Sequence, residues 1–467
     1  GADEAYGIVD ADIYFPSLYV QQDEMEDHDG VSKGKYTLGL GQSQMAVCSD
    51  REDACSMALN VVSRLLDKHG IDVQSVGRVE VGTESIVDKS KSIKTVLMRL
   101  FKSGGNFEVE GLDTYNACYG GTQALFNAID WMYSPFRRKE YAIVVTTDVA
   151  VYAHGPARPT WAIHSNTKGG GGAVALLIGR DPILAMKPGM RVVYMDDTLD
   201  FFKPNGRSEY PYVDGPLSIS CYLRAFDYCY ARLAELYYSR SIDDERSQSS
   251  STSHMNGKGA RQNGVSGSNG GVSPSEVNVE EENNSKGEIR RLENGTSLAS
   301  TDRFSSEWEY ATLHAPYCKL VRKAIGRVVW HERESVSAGK SREGELMPYS
   351  HLSPEQSLQD KGVEKVLAKM GEPLFDQKVA CTLTAASRVG NMYTGSLYGC
   401  IISLLCTTSI DEAVGKNVLA YSYGSGLASA MFLLSVRRSA ANTRRLIDLD
   451  RRLDEREKIT PAQAEYV

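Results

Sequence analysis

One cysteine of the sequence stands where covalent chemistry is plausible. Cys118 lies in "TYNACYGGTQALFNA", with the small Ala117 before it, Gly120 and Gly121 shortly after it, and a helix-like run beyond. Backbone N–H groups and the dipole at a helix start favour a thiolate, and small neighbours let a substrate approach the backbone. We therefore expect a nucleophile that accepts an acyl group. The plainer interpretation, a small structural thiol, suits the other cysteines on apolar helical faces, namely Cys55, Cys221, Cys400 and Cys406.

Two further residues could work with this thiol. Glu84 stands just past the predicted strand "RVEVGT", where open α/β sheets usually place their ligands, and a carboxylate there could act as a general base. His314 lies two residues before Pro316, which suits the first turn of the helix that follows. An exposed loop glutamate is the plainer interpretation of Glu84. Asn391 and Ser425, in the glycine-rich stretches "GNMYTGSLYG" and "SYGSG", are turn formers as well as possible ligands.

The elements around these residues predict an α/β fold. Residues 49–69 read as a helix, with a capping box of Ser49 and Glu52 and a stop at Gly70. Strand, loop and helix follow, and then "TQALFNAIDWMY" as a helix and "YAIVVTTDVAVYA" and "GGAVALLIG" as buried strands. The C-terminal part repeats this order with "CIISLLCTT", "VLAYSYGSG" and "LASAMFLLSV". We predict two pseudo-duplicated halves, residues 1–215 and 216–467.

Two segments differ in composition from the rest. Residues 242–300 are rich in Ser, Gly and Asn and almost free of large apolar side chains, so we expect a disordered insertion in the second half. The tail from Arg437 onward, with "RRLIDLDRRLDEREK", is dense in charge and predicts a solvated helix.

The overall composition excludes several classes of function. The chain has 467 residues, a formal net charge of -8 and 42% hydrophobic residues. The negative charge argues against a nucleic-acid surface, and no apolar run approaches the ~20 residues that a membrane span needs. Nine cysteines at irregular spacing, without a CxxC pair, fit reduced thiols better than a disulfide framework. The start "GADEAYGIVD" shows no signal or transit peptide, so a cytoplasmic location is expected.

At these motifs the chain closely resembles the eukaryotic 3-hydroxy-3-methylglutaryl-CoA (HMG-CoA) synthases, a family of the thiolase superfamily. The matching stretches run in family order from about residue 6 to 436 and include "KYTLGLGQ", "VGTESIVDKSKSIKT", "NACYGGTQALFNA", "SEYPYVDGPLSISCY", "HAPYCKLV" and "YSYGSGLA". The resemblance implies a thiolase-like fold, with the two halves in an α-β-α-β-α layered arrangement, and a homodimer. It also implies condensation of acetyl-CoA with acetoacetyl-CoA and water in the mevalonate pathway of isoprenoid and sterol synthesis.

Carried over residue by residue, the resemblance assigns three catalytic roles. Cys118 would take the acetyl group as a thioester, Glu84 would remove a proton from the acetyl methyl group, and His314 would hold or protonate the oxygen of the acceptor. Water would then cleave the thioester. The resemblance implies neither a metal nor a redox cofactor, because this chemistry needs a thiol, a base and oxyanion donors.

The resemblance also assigns supporting residues. Asn391 and Ser425 would line the acyl site, and Tyr119 and Tyr393 would shape it. Further residues would hold the geometry or contact the substrates: Asp88, Asp148 and Asp200 around the acyl site, Lys319 and Ser218 near the CoA arm, and Thr160 in the motif "ARPT". After Thr160 the chain departs from the family, because "WAIHSNTK" interrupts the family's "ARPTGG" and lengthens the loop.

Three alternatives compete with this interpretation. Another thiolase-superfamily enzyme would share Cys118, but those relatives use histidines or a second cysteine where this chain has Glu84. A cysteine hydrolase would use Cys118, His314 and Asn391 in the chain order of a papain-like triad, but the sequence around Cys118 lacks that family's signature. A CoA-binding pseudoenzyme is disfavoured by the intact Cys, Glu and His.

Overall fold

A computed structural model describes residues 5–151, 168–203, 210–253, 303–333 and 343–465. Its strands, in chain order, are β1 Tyr6–Tyr14, β2 Leu18–Gln21, β3 Gln44–Val47, β4 Val76–Gly82, β5 Asp113–Thr114, β6 Tyr141–Val151, β7 Lys168–Arg180, β8 Leu184–Met195, β9 Phe201–Phe202, β10 Tyr212–Val213, β11 Tyr310–Leu313, β12 Asn417–Gly424, β13 Ala428–Val436 and β14 Glu457–Lys458. Its α-helices are α1 Gln22–His28, α2 Ala54–His69, α3 Ile93–Lys102, α4 Gly120–Met132, α5 Gly215–Ser253, α6 Cys318–His331, α7 Glu343–Leu346, α8 Pro354–Gln359, α9 Lys361–Lys378, α10 Thr384–Val389, α11 Ser396–Leu405, α12 Ala441–Ile447, α13 Leu449–Asp454 and α14 Pro461–Ala464.

Nine strands form one sheet, in the order β11-β12-β13-β8-β1-β7-β6-β4-β5. Six of them lie in residues 1–215 and three in residues 216–467, and the two groups meet where β8 pairs with β13. β4 and β6 are parallel, as are β11 and β12, so their carboxyl ends can carry side chains to a common edge. The repeated order of helix, strand and strand is confirmed, as α4-β6-β7 and α11-β12-β13.

The two equivalent helices α4 and α11 lie in one apolar core. Ten residues of α4 and all ten of α11 are buried, which explains why both sequences are apolar on nearly every face. Their side chains share this core with β1, β6, β7, β12 and β13. On the outer side of the first half, α2 and α3 pack with β4, β6 and β7. On the second half, Phe226 of α5 packs edge-on against Tyr421 of β12. The layered α/β arrangement is thus confirmed.

The helix expected at residues 49–69 begins later than predicted. Its N-cap is Asp53, in a capping box with Ser56, and its C-cap Gly70 has a φ of 60°. The predicted box of Ser49 and Glu52 is therefore wrong. The carboxylate of Glu52 does accept from Ser49 N at 2.8 Å, but it also accepts from the Tyr14 hydroxyl at 2.6 Å, a tertiary contact that pattern reasoning cannot see.

The charged tail is not a solvated helix. It forms α12 and α13, separated at Asp448, which has a φ of 49°. Ile447, Leu449 and Leu453 are buried in the large core, and Arg452 reaches the buried carboxylate of Asp12 at 3.2 Å. The prediction from charge density was therefore wrong, because some of these charged side chains, such as Arg452, form ion pairs with buried carboxylates.

The described residues fall into two units. Residues up to Tyr237 and from Asp302 onward form one, which holds the sheets, and Tyr238–Thr301 form the other. Helix α5 continues to Ser253 and so extends into the insertion predicted at about 242–300, of which residues 254–300 lie outside the described residues. Among the described helices, none is both long and apolar enough to cross a bilayer. The division into halves at residue 215 stays a prediction.

Candidate active site

Cys118 lies in a tight turn between β5 and α4. Ala117, just before it, has a φ of 43°, which side-chain-bearing residues rarely adopt. The turn is closed by a hydrogen bond from Gly120 N to the Ala117 carbonyl at 3.2 Å. A Cβ on Gly121 would come within 2.6 Å of the Thr394 carbonyl oxygen, so glycine is required for the second half to pack this closely. The turn thus presents the thiol at the contact between the two halves.

Glu84 meets Cys118 directly. The thiol donates a hydrogen bond to Glu84 Oε1 over 3.1 Å, although the two residues lie 34 positions apart. Glu84 follows the end of β4 and is 9% exposed. The structure therefore brings together two of the three predicted catalytic residues, and it gives the thiol proton an acceptor.

The expected resting thiolate is not supported. Burial raises the pKa of Cys118 well above its usual range, and the negative charge of Glu84 and the hydrogen bond to it act in the same direction. These effects on the pKa outweigh the opposite effect of the helix dipole at the start of α4. Cys118 is therefore a neutral thiol at neutral pH, and its nucleophilicity depends on transfer of its proton as the sulfur attacks.

Asp148, near the carboxyl end of β6, fixes the segment that carries Glu84. Its Oδ1 accepts from Glu84 N at 2.8 Å and from Ser85 N at 3.0 Å, and Thr83 Oγ1 donates to the same oxygen at 3.1 Å. Its Oδ2 accepts from Thr394 N at 3.0 Å and from the Thr394 hydroxyl. Burial raises the pKa of Asp148, while these hydrogen bonds act in the opposite direction. One carboxylate thus links the base of the first half to the second half.

Tyr393, Phe201 of β9 and Lys203 just after β9 lie on another side of the thiol. Tyr393, Phe201 and Ala150 form a small buried cluster against which Cys118 packs. Lys203 places its Nζ 3.9 Å from Glu84 Oε2 and 5.6 Å from the centre of the Tyr393 ring. Sequence reasoning assigned Tyr393 but missed Lys203, because a lone lysine after "DFF" carries no pattern.

His314 follows β11 and is buried. Its backbone N–H donates to the Tyr421 carbonyl at 2.8 Å, and its carbonyl accepts from the Tyr222 hydroxyl at 2.7 Å. Ser396 Oγ, at the start of α11, accepts from Ala315 N at 3.1 Å. Burial lowers the pKa of His314 to about 3, so at neutral pH the ring is a neutral hydrogen-bond donor.

Asn391 and Ser425 also lie at turns of the second half. Asn391 is buried; its Oδ1 accepts from Tyr393 N at 2.9 Å, and its Nδ2 has no hydrogen-bond partner within the described ranges. The carbonyl of Ser425 accepts from Asn116 Nδ2, two residues before Cys118, at 3.3 Å. Asp200 holds this turn, because its carboxylate accepts from Tyr423 OH at 3.0 Å and from Gly426 N at 2.9 Å. Their roles at the acyl site stay predictions.

Lys319 lies at a different place, on the wall of a cavity. This cavity has a volume of about 550 Å³ and is lined by α6, α9, α10 and the segment of residues 37–41. Lys319 N donates to the Leu40 carbonyl at 2.9 Å, which joins α6 to that segment. Arg322, a turn further along α6, adds a second basic group. Glu372 lines the same cavity and pairs with Arg322 at 3.0 Å, so part of this positive charge is already balanced.

Three predicted residues have other contacts or positions in the structure, and a fourth lies outside the described residues. Asp88 is exposed and caps its own turn, with Ser90 N and Lys91 N each 2.8 Å from its Oδ1. The ring of Tyr119 points into the large core. Ser218 lies in the first turn of α5, and Thr160 lies outside the described residues. In the part of the chain that the structure covers, no group of three or more His, Cys, Asp or Glu side chains is placed to hold a metal.

Family models and curated relatives match most of the chain. Residues 3–182 match the N-terminal model of hydroxymethylglutaryl-coenzyme A synthase, and residues 184–257 and 284–467 match the C-terminal one. The chain is 41% identical to hydroxymethylglutaryl-CoA synthase A of Dictyostelium discoideum, covering 98% of this chain and 81% of that protein. It is 40% identical to the cytoplasmic enzyme of Gallus gallus, covering 97% and 77%, and 39% identical to the mitochondrial enzyme of Rattus norvegicus, covering 98% and 80%.

Solved structures show the same fold. The structure of MvaS in complex with 3-hydroxy-3-methylglutaryl coenzyme A superposes with a TM-score of 0.75 at 27% identity, covering 99% of this chain and 91% of the other. An HMG-CoA synthase complexed with CoA superposes with a TM-score of 0.67 at 18% identity, covering 99% and 90%, and supports the fold alone. With both family models matched across most of its length, the chain belongs to the hydroxymethylglutaryl-CoA synthase family.

Proposed function

We propose that this enzyme condenses acetyl-CoA with acetoacetyl-CoA and water to give HMG-CoA and free CoA. The observation that carries the proposal is the 3.1 Å contact between Cys118 Sγ and Glu84 Oε1 in a chain of this family. A thiol and a carboxylate in contact can perform acyl transfer followed by proton removal from a carbon acid, without either group leaving its place.

In the first step Cys118 attacks the thioester carbon of acetyl-CoA. The S–C bond to Cys118 forms and the bond to the CoA sulfur breaks. Because burial keeps the thiol protonated, its proton moves to Glu84 Oε1 during the attack and then to the departing CoA thiolate. The carboxylate is thus regenerated beside the new acetyl thioester.

In the second step Glu84 removes a proton from the methyl group of acetyl-Cys118. The resulting enolate attacks the ketone carbon of acetoacetyl-CoA, a C–C bond forms, and the ketone oxygen becomes an alkoxide. The neutral ring of His314 and the Nδ2 of Asn391 are donors for that oxygen or for the acetyl carbonyl. The proton held by Glu84 returns to the alkoxide.

In the last step water attacks the thioester carbon of Cys118. The C–S bond breaks, a carboxylic acid is released as part of HMG-CoA, and the Cys118 sulfur regains its proton. None of these steps transfers electrons to or from a carrier, so we propose that the thiol, the carboxylate and the hydrogen-bond donors suffice. The CoA moiety of a substrate would lie in the cavity beside Lys319 and Arg322.

The cysteine-hydrolase alternative is less well supported. A papain-like triad needs a histidine as the partner of the thiol. Here the hydrogen-bond acceptor of Cys118 is Glu84, and the burial that lowers the pKa of His314 to about 3 opposes an imidazolium–thiolate pair.

We further propose a homodimer in the cytoplasm. The sheet ends at the two-residue strand β5, around which Phe107, Leu112 and Tyr115 are exposed, and an edge of this kind can pair with a second copy. All nine cysteines are free, which fits a reducing compartment. Light scattering and fractionation test these two points, since the relatives include cytoplasmic and mitochondrial proteins.

The function is tested by two additions to the purified protein. With isotope-labelled acetyl-CoA alone, we expect one acetyl group on the Cys118 peptide by mass spectrometry. With acetoacetyl-CoA added, we expect the label in HMG-CoA. The variant Cys118→Ala should show neither. Acetylation elsewhere, or an acetyl-Cys118 that never passes its label to HMG-CoA, would contradict the proposal.

A further inference from the structure

We propose that Lys203 is a positioning residue that keeps Glu84 ionised and aligned beside Cys118. This inference rests on the proposed condensation and adds a group to it that none of the predicted roles included. Lys203 stands in the loop that follows β9, more than 80 residues from the thiol and from the base.

The two oxygens of the Glu84 carboxylate contact different partners. Oε1 accepts from the Cys118 thiol at 3.1 Å, and Oε2 faces Lys203 Nζ at 3.9 Å. The same ammonium donates to the Glu84 backbone carbonyl at 3.4 Å. An ammonium that contacts both the side chain and the backbone of one residue restricts the rotation of that side chain. The oxygen nearer the thiol is then the one that meets the acetyl methyl group.

Lys203 is itself held in place by aromatic packing. Phe201, two residues earlier, lies edge-on to Tyr393 at a centroid distance of 6.3 Å, and the Lys203 ammonium lies 5.6 Å from the centre of the Tyr393 ring. The side chain is 20% exposed, so the ammonium is only partly hydrated. Because Tyr393 belongs to the second half, the position of this cation depends on the same contact between halves that positions the thiol.

The surroundings of Glu84 explain why a cation is useful. Groups that face it include the Cys118 thiol from the turn before α4, Asp148 from β6 and Lys203 from the loop after β9. Burial and a neighbouring carboxylate both favour the protonated form of an acid, which cannot remove a proton from the acetyl group. The positive charge of Lys203 opposes both effects and also lowers the pKa of Cys118.

The test compares Lys203→Gln with Lys203→Arg and with a control, Lys187→Gln. Lys187 is also partly buried and lies over an aromatic ring, that of Tyr237, but on β8. For each protein, kcat/KM for HMG-CoA formation is measured from pH 5.5 to 9, together with the midpoint of thermal unfolding. Activity is lost as pH falls through the pKa of the base, so removal of the cation should raise the apparent pKa of this acidic limb by about one unit.

We expect Lys203→Gln to lose at least ten-fold in kcat/KM at pH 6 and to recover part of that loss at pH 8.5. Lys203→Arg should keep the apparent pKa of the acidic limb within a few tenths of a unit, and Lys187→Gln should leave that pKa unchanged. An unchanged acidic limb in a folded Lys203→Gln would overturn the inference while leaving the condensation intact. No HMG-CoA from the unchanged chain would overturn both.

Discussion

The turns that precede α4 and α11 share one backbone feature but have different tasks. Ala117 and Tyr393, each three residues before the helix start, have φ values of 43° and 49°. The residue that follows is Cys118 in the first half and Thr394 in the second. Each half therefore places one polar side chain at the mouth of its central helix, and both have a backbone conformation that costs about 1–2 kcal/mol outside glycine.

The difference lies in what the two side chains contact. The Thr394 hydroxyl donates a hydrogen bond to Asp148, and its oxygen lies 3.0 Å from the Gly82 carbonyl oxygen. Both contacts of this hydroxyl are therefore within the protein. Cys118 donates a single weak hydrogen bond to Glu84 and remains partly exposed. The turn that carries Thr394 is thus a structural anchor, and the turn that carries Cys118 presents a reactive group. The anchor holds Asp148, and Asp148 holds the base.

The largest expected effect comes from removing the base of the reactive turn. In Glu84→Gln the side chain keeps its size and can still contact the Cys118 sulfur, but it cannot carry a proton from carbon. We expect acetyl-Cys118 to form, more slowly because the thiol proton has lost its acceptor, and condensation to fall by about 10²–10⁴-fold. Mass spectrometry and product formation measure the two steps separately.

Glu52→Gln is the matched control for this variant. Glu52 is also a buried carboxylate that accepts from a backbone N–H and a hydroxyl, at the start of α2. It should leave both steps within a few fold of the unchanged protein. Equal loss of acetylation and condensation in Glu84→Gln would contradict the assignment of Glu84 as the base for carbon.

The next effect comes from breaking the anchor. Thr394→Val keeps the shape of the side chain but removes its hydrogen bonds to Asp148 and to the Gly82 carbonyl. Loss of these buried contacts should cost about 1–3 kcal/mol of unfolding free energy, lower the melting temperature by a few degrees, and reduce kcat about ten-fold because the Glu84 segment loosens. Calorimetry and steady-state kinetics measure both results.

Thr146→Val supplies the comparison for the anchor. Thr146 is buried on β6 close to Gly121, and its hydroxyl has no hydrogen-bond partner among the described residues. Its replacement should be neutral or stabilising, since an unpaired buried hydroxyl is removed. If the two variants lost equal stability, the hydrogen bonds of Thr394 would not be what distinguishes the second turn.

The sequence was sufficient where the signal was local. The alternating order of elements, the glycine pair after Cys118 and the position of Glu84 past a strand can all be predicted from neighbouring residues, and the structure brings Cys118 and Glu84 into contact. Family resemblance supplied Asp148, whose bonds to Glu84 and Thr394 span 64 and 246 positions. Contacts between residues so far apart in the chain produce no periodic pattern in a single sequence.

Where prediction failed, tertiary contacts overrode local patterns. The helix start predicted at Ser49 shifted to Ala54 because Glu52 is bound by Tyr14. The pKa of Cys118 is raised because burial exceeds the effect of the helix start that follows it. Lys203 was missed because its role exists only once the β9 loop is folded against Tyr393. In each case the deciding partner is remote in the chain.

The smallest expected effect concerns the strained backbone of the reactive turn. Ala117→Gly removes a Cβ from a left-handed position, which relieves strain but also adds freedom to the unfolded chain, so the unfolding free energy should change by less than about 1 kcal/mol. Asp181→Gly is the control, because Asp181 has a φ of 52° and is exposed far along the chain, after β7. Both variants should have similar melting temperatures. Only Ala117→Gly should lower kcat, by up to about ten-fold, because a less restricted turn no longer holds the Cys118 sulfur against Glu84. If kcat were unchanged, the left-handed residue would not be what positions the thiol, and that position would depend on the packing of Gly121 against Thr394 instead.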